Sequence, residues 1–246
     1  MSKPEQKKDE HKKDEPKKAK LEVKDSIPKV LYMCDKTLDN IKKYSANWTE
    51  LNPEYKIKLY DNEMCETFLT DVYGKDFATV FTFIKDGPIK ADFWRVCLLY
   101  HYGGIYIDAD IEPLVPLKDY IDPAADFVTC TAYSPRHKFN PNFIAAKAGD
   151  SYLKDCIQMY LTWYEEKKTY NYFDWSIMNV FTDVIQIPNF QKVDNVYEAD
   201  GKHIQLLKEC EGKEFYDDHN VYHKVRVFNN RYKNYDAGTH QFKSSE

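Results

Sequence analysis

Asp108 and Asp110, one residue apart, follow the apolar run Gly103-Gly104-Ile105-Tyr106-Ile107 near the middle of a 246-residue chain. Alternate residues of an extended segment point the same way, so a strand continued through Ala109 aims both carboxylates at one point beyond its apolar stretch. A hard divalent cation is the natural occupant of such a point. Mg²⁺ or Mn²⁺ takes oxygen ligands in octahedral geometry, uses one or two carboxylates, and completes its shell with water and substrate phosphate. The spacing therefore points to a site for a metal and a diphosphate. Asp-x-Asp also occurs on solvated loops and in turns that bind nothing, so the segment before it carries the argument.

Residues 86–102 read as a helix that delivers the chain to these carboxylates. Pro88 suits the first helical position, and Ile89, Phe93, Val96, Cys97 and Tyr100 recur at helical spacing. Gly103 supplies the left-handed residue that stops the helix. Asp92 and Arg95 stand at i and i+3 and share one face. As an exposed ion pair they contribute little to stability. Beside a two-carboxylate strand end, they offer a carboxylate and a guanidinium to the hydroxyls of a polyol.

The elements that must position these residues alternate. Residues 29–34 read as a buried strand, 38–51 as a helix with Ile41, Tyr44, Trp48 and Leu51 on one face, and 56–60 as a strand. Two short helices follow, one carrying Met64, Phe68 and Val72, the other Phe77, Val80, Phe81 and Ile84. Beyond the carboxylates, 127–131 and 143–146 read as strands, and 151–166 and 176–187 as helices. Such alternation predicts an α/β sheet with helices on its faces. Ligands of open α/β sheets bind outside the carboxyl ends of strands, where Asp108 and Asp110 fall. About 220 residues suffice for one domain burying roughly 70% of its unfolded surface.

Residues 1–26 interleave lysine with aspartate and glutamate and carry almost no apolar side chains, which predicts a disordered tail. The mixed signs cancel the field that a nucleic acid or an anionic membrane would feel. The net charge of −5 names no partner. No apolar stretch reaches the length of a membrane span and none follows the first methionine as a leader does. Cys34, Cys65, Cys97, Cys130, Cys156 and Cys210 are scattered without Cys-x-x-Cys spacing, which fits free thiols in a reducing, cytoplasmic setting, with Cys97 and Cys130 as small core residues.

The run Lys90-Ala91-Asp92-Phe93-Trp94-Arg95, followed by Leu99-Tyr100-His101-Tyr102-Gly103-Gly104-Ile105-Tyr106-Ile107-Asp108-Ala109-Asp110, resembles the sugar-binding DXD region of glycosyltransferase family 32. That family includes yeast-type α-mannosyltransferases and bacterial capsular transferases and is related to the large clostridial toxin glucosyltransferases. Ile27-Pro28-Lys29-Val30-Leu31 is similar to its opening strand. Trp48 with Asn52-Pro53-Glu54-Tyr55-Lys56-Ile57-Lys58-Leu59-Tyr60-Asp61 is similar to its second strand and the helix before it. Asn142-Phe143-Ile144-Ala145-Ala146 resembles a donor-site strand and Thr239-His240-Gln241-Phe242 the closing histidine element. The resemblance covers residues 27–246 and implies a single GT-A domain, a Rossmann-like mixed sheet flanked by helices.

It further implies a nucleotide-sugar bound through Mn²⁺ or Mg²⁺. Asp110 would ligate the metal directly, with His240 closing its shell. Asp108 would contact the ribose and sugar, Asp92 and Arg95 would hold the sugar hydroxyls, Asn142 would lie beside the sugar, and Ser245 would reach the diphosphate. Two features depart from the family pattern: Met33-Cys34-Asp35 stands where relatives carry an aromatic residue, and Ser245 is followed by Glu246 instead of tryptophan. The implied reaction is hexose transfer, with retention, from a UDP- or GDP-sugar to a glycan, a lipid-linked sugar or a protein hydroxyl. Two other readings stand beside it. One is a carbohydrate-binding or structural module that keeps the fold without turnover. The other is a phosphatase using Asp108 as nucleophile, although in such enzymes the Asp-x-Asp motif opens the domain.

Overall fold

The computed structural model describes residues 21, 25–211, 219–229, 235–236 and 241–242. The expected tail, residues 1–26, lies outside this set except for Leu21, Asp25 and Ser26, as do His240 and Ser245.

The chain opens with β1 (Val30–Cys34), α1 (Leu38–Leu51) and β2 (Lys56–Tyr60), then α2 (Asn62–Tyr73), α3 (Lys75–Phe83) and α4 (Gly87–Tyr102). β3 (Gly104–Ile107), the two-residue β4 (Glu112–Pro113), β5 (Phe127–Thr131) and β6 (Phe139–Ala146) follow, and α5 (Ser151–Glu165) and α6 (Ile177–Val184) come next. The last third is β: β7 (Asn195–Ala199), β8 (Lys202–Glu211), β9 (His219–His223), β10 (Val225–Asn229), and the short pair β11 (Tyr235–Asp236) and β12 (Gln241–Phe242). Among the described residues, ten strands form one sheet in the order β2-β1-β3-β6-β5-β8-β9-β10-β4, with β7 paired to β8 off that path. β1 runs parallel to β2 and β3, and β5 parallel to β8, whereas β6 lies antiparallel between β3 and β5.

The central strands are covered on both faces, and their side chains sort by the two-residue period. Tyr32, Tyr106, Phe127, Ile144 and Ala146 enter the core beneath α2 to α6. Their neighbours Leu31, Met33, Ile105, Ile107, Val128, Phe143 and Ala145 enter the opposite core with Trp48 of α1. α4 is buried almost all round, with Ile89, Asp92, Phe93, Trp94, Arg95, Val96, Cys97, Leu98, Leu99 and His101 inside, as an interior helix must be. Its Asp92–Arg95 pair is therefore a core feature and not a surface one. Cys97 and Cys130 are buried, and all six cysteines are free thiols. Among the described residues no helix is long and apolar enough to cross a membrane.

The join between α4 and β3 depends on two glycines. Gly103 (φ +63°) closes the helix by donating its N–H to the Leu99 carbonyl at 2.8 Å. Gly104 (φ +110°) begins the strand where an added Cβ would stand 2.7 Å from the Val30 carbonyl oxygen. Only glycine tolerates both the backbone conformation and the approach.

The structure differs from the periodicity reading in several bounds. Pro88 is the second helical residue, because α4 starts at Gly87. β6 begins at Phe139 instead of residue 143, four residues earlier than its apolar run. α6 spans Ile177–Val184, shorter than 176–187. β7 to β12 were not legible as strands; β7, for example, is mostly exposed and shows no apolar alternation.

Candidate active site

β3 ends at Ile107, so Asp108 is not part of an extended strand. The Ile111 N–H donates to the Asp108 carbonyl at 3.2 Å, and Asp108-Ala109-Asp110-Ile111 is a turn. The alternation expected to carry both carboxylates to one point therefore stops at Asp108, and Asp110 is presented by the turn instead. Two hydrogen bonds to backbone groups fix this turn at its ends. The Asp108 N–H donates to the Asn142 carbonyl at 2.9 Å, extending the β3–β6 ladder by one residue. At the other end, Trp48 Nε1 donates to the Ile111 carbonyl at 3.2 Å, so an indole of α1 buried in the core opposite α2 to α6 anchors the exit.

Arg95 organises the charged residues. Its Nη2 lies 3.0 Å from Asp92 Oδ1 and 3.0 Å from Asp108 Oδ1. Its Nη1 donates to the Pro141 carbonyl at 2.8 Å and its Nε to the Ala91 carbonyl at 3.3 Å. The guanidinium also lies 4.1 Å from the centre of the Tyr106 ring, a stacking arrangement suited to its planar ion. The Tyr106 hydroxyl donates to Asp108 Oδ1 at 2.8 Å. The second oxygen of Asp92 accepts the Ile177 N–H at 3.0 Å, at the first residue of α6. One guanidinium thus joins α4, β3, β6 and, through Asp92, α6.

Exposure divides the three ionic side chains by role. Arg95 and Asp92 side chains are 5% and 8% exposed, whereas that of Asp108 is 30% exposed. Burial pushes the Asp92 carboxyl up to about 6; Arg95 and the Ile177 N–H pull it down, and the Asp108 charge adds to the rise. Burial raises Asp108 as well, opposed by Arg95 and by the Tyr106 hydroxyl. Burial works against the Arg95 charge, but Asp108, Tyr106 and Asp92 more than offset it, and Arg95 remains a cation. Most of the guanidinium's donors are spent inside the protein. What reaches a ligand is the exposed part of Asp108 and the half-buried Asp110.

The donor set suits a hard cation. Asp108 and Asp110 offer carboxylate oxygens on a partly open turn, and no group of three or more His, Cys, Asp or Glu stands ready to hold a metal among the described residues. One or two carboxylates with the remaining positions left to water and phosphate is the pattern for Mg²⁺ or Mn²⁺ at a substrate site. Asn142 is buried on β6 and its carbonyl accepts the Asp108 N–H, so it adjoins the cluster. The two open grooves of about 320 and 410 Å³ along α2 include none of these residues.

Residues 39–128 match the family described as glycosyltransferase sugar-binding region containing DXD motif. The match spans α1 through β5 and so takes in Asp92, Arg95, Asp108 and Asp110. The chain is 31% identical over 81 residues to an initiation-specific alpha-1,6-mannosyltransferase of Candida albicans, covering 32% of this chain and 21% of that protein. It is 30% identical over 125 residues to a mannosyl phosphorylinositol ceramide synthase of Saccharomyces cerevisiae, covering 46% and 32%. It is also 29% identical over 99 residues to an uncharacterized glycosyltransferase of Acanthamoeba polyphaga mimivirus, covering 40% and 38%. The matched part thus spans between about a fifth and two fifths of these relatives. Among solved structures, the PaToxG glycosyltransferase superposes with a TM-score of 0.51 at 18% identity, over 65% of this chain and 69% of that one. That likeness establishes the GT-A fold around the DXD region.

Sequence reasoning missed three supports of the site. Tyr106 was within reach of it, since the two-residue period places Tyr106 and Asp108 on the same side of a strand. The Pro141 carbonyl and the Ile177 N–H are backbone groups, which side-chain spacing does not signal.

Proposed function

We infer that this protein is a metal-dependent glycosyltransferase that moves a hexose, with retention, from a UDP- or GDP-sugar to a hydroxyl of a glycan, a lipid-linked sugar or a protein. The observation that carries the reading is the buried Asp92–Arg95–Asp108 cluster joined to the Asp108–Asp110 turn within the DXD region. Asp110 would hold the metal directly, and His240 and Ser245, which lie outside the described residues, would serve the metal and the diphosphate. Mn²⁺ or Mg²⁺ bound there supplies Lewis-acid stabilisation of the departing diphosphate. Asp108 accepts hydrogen bonds from ribose and sugar hydroxyls through its exposed part, and Asn142 lies beside the sugar.

Arg95 has little surface left for a ligand, so its part is to hold Asp108 ionised and oriented; Asp92 holds Arg95 in turn. In the transfer, the bond from the anomeric carbon to the diphosphate breaks with its electron pair on the phosphate oxygen. The acceptor oxygen takes that place on the same face, and its proton passes to the departing phosphate. A phosphatase would need Asp108 as a free nucleophile, whereas its Oδ1 pairs with Arg95 and accepts from Tyr106. The six free thiols favour the cytoplasm as the compartment.

The test is a thermal-shift panel of UDP-glucose, UDP-galactose and GDP-mannose with and without Mn²⁺, on the natural chain and Asp110→Ala. A ligand at a hundred times its dissociation constant adds about 2.7 kcal/mol, several degrees for a domain of this size. The reading requires a metal-dependent shift for one nucleotide class that Asp110→Ala abolishes, followed by sugar release. Absence of any shift, or a shift indifferent to metal and Asp110, moves the non-catalytic module ahead.

A further inference from the structure

The connection between α5 and α6 holds an ordered aromatic pair in water. Asn171 Oδ1 accepts the N–H groups of Phe173 at 2.9 Å and Asp174 at 3.4 Å, and the Asn171 carbonyl accepts the Trp175 N–H at 3.0 Å. Asn179 Nδ2 donates to the Phe173 carbonyl at 2.5 Å. Trp175 is fully buried beneath the loop, with its Nε1 on the Thr169 carbonyl at 3.3 Å. On this pinned backbone Phe173 is 75% exposed and Tyr172 40% exposed, with ring centres 5.5 Å apart and planes at 83°. An apolar ring held out by four hydrogen bonds serves no packing purpose in the described structure.

The pair also adjoins the candidate site. Four residues after Phe173, the Ile177 N–H sits on Asp92, and the neighbouring Tyr170 hydroxyl donates to Asp86 Oδ2 at 2.6 Å. Partial burial raises the Tyr172 hydroxyl, and the charges of Asp92, Asp86 and Asp108 raise it further, which puts that side chain within their field.

We propose that Tyr172 and Phe173 form the acceptor platform, on which a neutral pyranose stacks the C–H face of its ring at the edge of the Asp92–Arg95–Asp108 cluster. This rests on the glycosyl-transfer reading. The chemistry matches a sugar: an apolar face needs a flat aromatic surface, and hydroxyls around its rim need acceptors, which the part-exposed carboxylates of Asp86 and Asp108 offer. Without a bridging cation the same carboxylates repel an anionic acceptor, whereas a neutral sugar meets no such barrier. Because the loop is already ordered, stacking costs little conformational freedom, and carbohydrate sites commonly pair aromatic surface with a few placed polar groups.

The experiment is saturation-transfer NMR with methyl α-D-mannopyranoside, methyl α-D-glucopyranoside and methyl β-D-galactopyranoside on the natural chain, Phe173→Ala, Tyr172→Ala and Phe173→Trp. At least one glycoside should receive saturation, strongest on the protons of one ring face. Phe173→Ala and Tyr172→Ala should each weaken binding about tenfold, and Phe173→Trp should retain it. The nucleotide-sugar thermal shift should be the same in all four proteins, which separates failure of the platform from failure of the transferase reading. No saturation of any glycoside in the natural chain, or equal saturation in Phe173→Ala, overturns the proposal. Sedimentation with phosphatidylcholine vesicles that requires Phe173 overturns it too, in favour of membrane contact.

Discussion

Replacing Arg95 by methionine tests whether the ionic cluster is a linked unit. Methionine fills much of the same volume, but Asp92, whose side chain is 8% exposed, loses the cation paired with it, and Asp108 loses its pairing at 3.0 Å. The Pro141 carbonyl also loses its 2.8 Å donor. Removing one partner of a buried pair costs about 3–5 kcal/mol, because the remaining charge is left uncompensated. For a domain of this size that is a fall in Tm of very roughly 6–20 °C. The loss must depend on pH. With Arg95 gone, the Asp92 carboxyl, already at about 6, rises further, so at pH 5 it is protonated and the penalty shrinks, whereas at pH 8 the penalty is larger. Asp92→Asn in the same chain should recover part of it. Urea unfolding of the natural chain, both single variants and the double variant at pH 5 and pH 8 measures the coupling. A loss below about 1 kcal/mol at both pH values, or additive effects of the two substitutions, would refute the linkage.

Three further outcomes follow from the same geometry. In the natural chain, the Asp92 carboxyl binds its proton more tightly when folded, about 6 against 3.8. Its contribution is therefore fully present below pH 4 and declines as pH rises to 6, by at most about 3 kcal/mol; Asp92→Asn should flatten unfolding profiles across that window, and an unchanged slope counts against the assignment. His203 behaves with the opposite partners: Nδ1 lies 2.5 Å from Glu198 and Nε2 3.0 Å from Asp122, an arrangement that favours the protonated ring donating to both carboxylates, and these hydrogen bonds raise its pKa. Its contribution should be complete below pH 6.5 and disappear as pH climbs through the raised value; an NMR titration that finds His203 at or below 6.5 contradicts this. Gly104→Ala should destabilise by about 1–3 kcal/mol from backbone conformation alone, with more from the 2.7 Å approach to Val30, and an unshifted denaturation midpoint would show that the α4–β3 join is not as tight as described.

The sequence by itself determined the first two thirds of the fold closely. α1, β2 and β5 have the bounds that their apolar patterns predict, because those patterns match a period of 3.6 or 2 and are bounded by turn residues. The Asp92–Arg95 spacing on a helix and the Asp108–Asp110 spacing after an apolar strand were likewise readable, since both depend on local geometry. The last third was not, because strands such as β7 keep most of their side chains in water and gain their stability from ladder partners distant in sequence.

Tertiary structure decided the rest. It turned an ion pair that looks superficial into a buried one, since only the packing of α4 on the sheet removes Arg95 and Asp92 from water. It ended β3 one residue before Asp108 and fixed the turn between Asn142 and Trp48, residues 34 and 60 positions from Asp108 along the chain. It also left Phe173 exposed on a loop pinned by hydrogen bonds, which no apolar pattern distinguishes from a core phenylalanine. Spacing along a chain determines which groups share one element. Which groups share one dielectric environment depends on how the elements pack, and that environment sets the charge and the reach of this site.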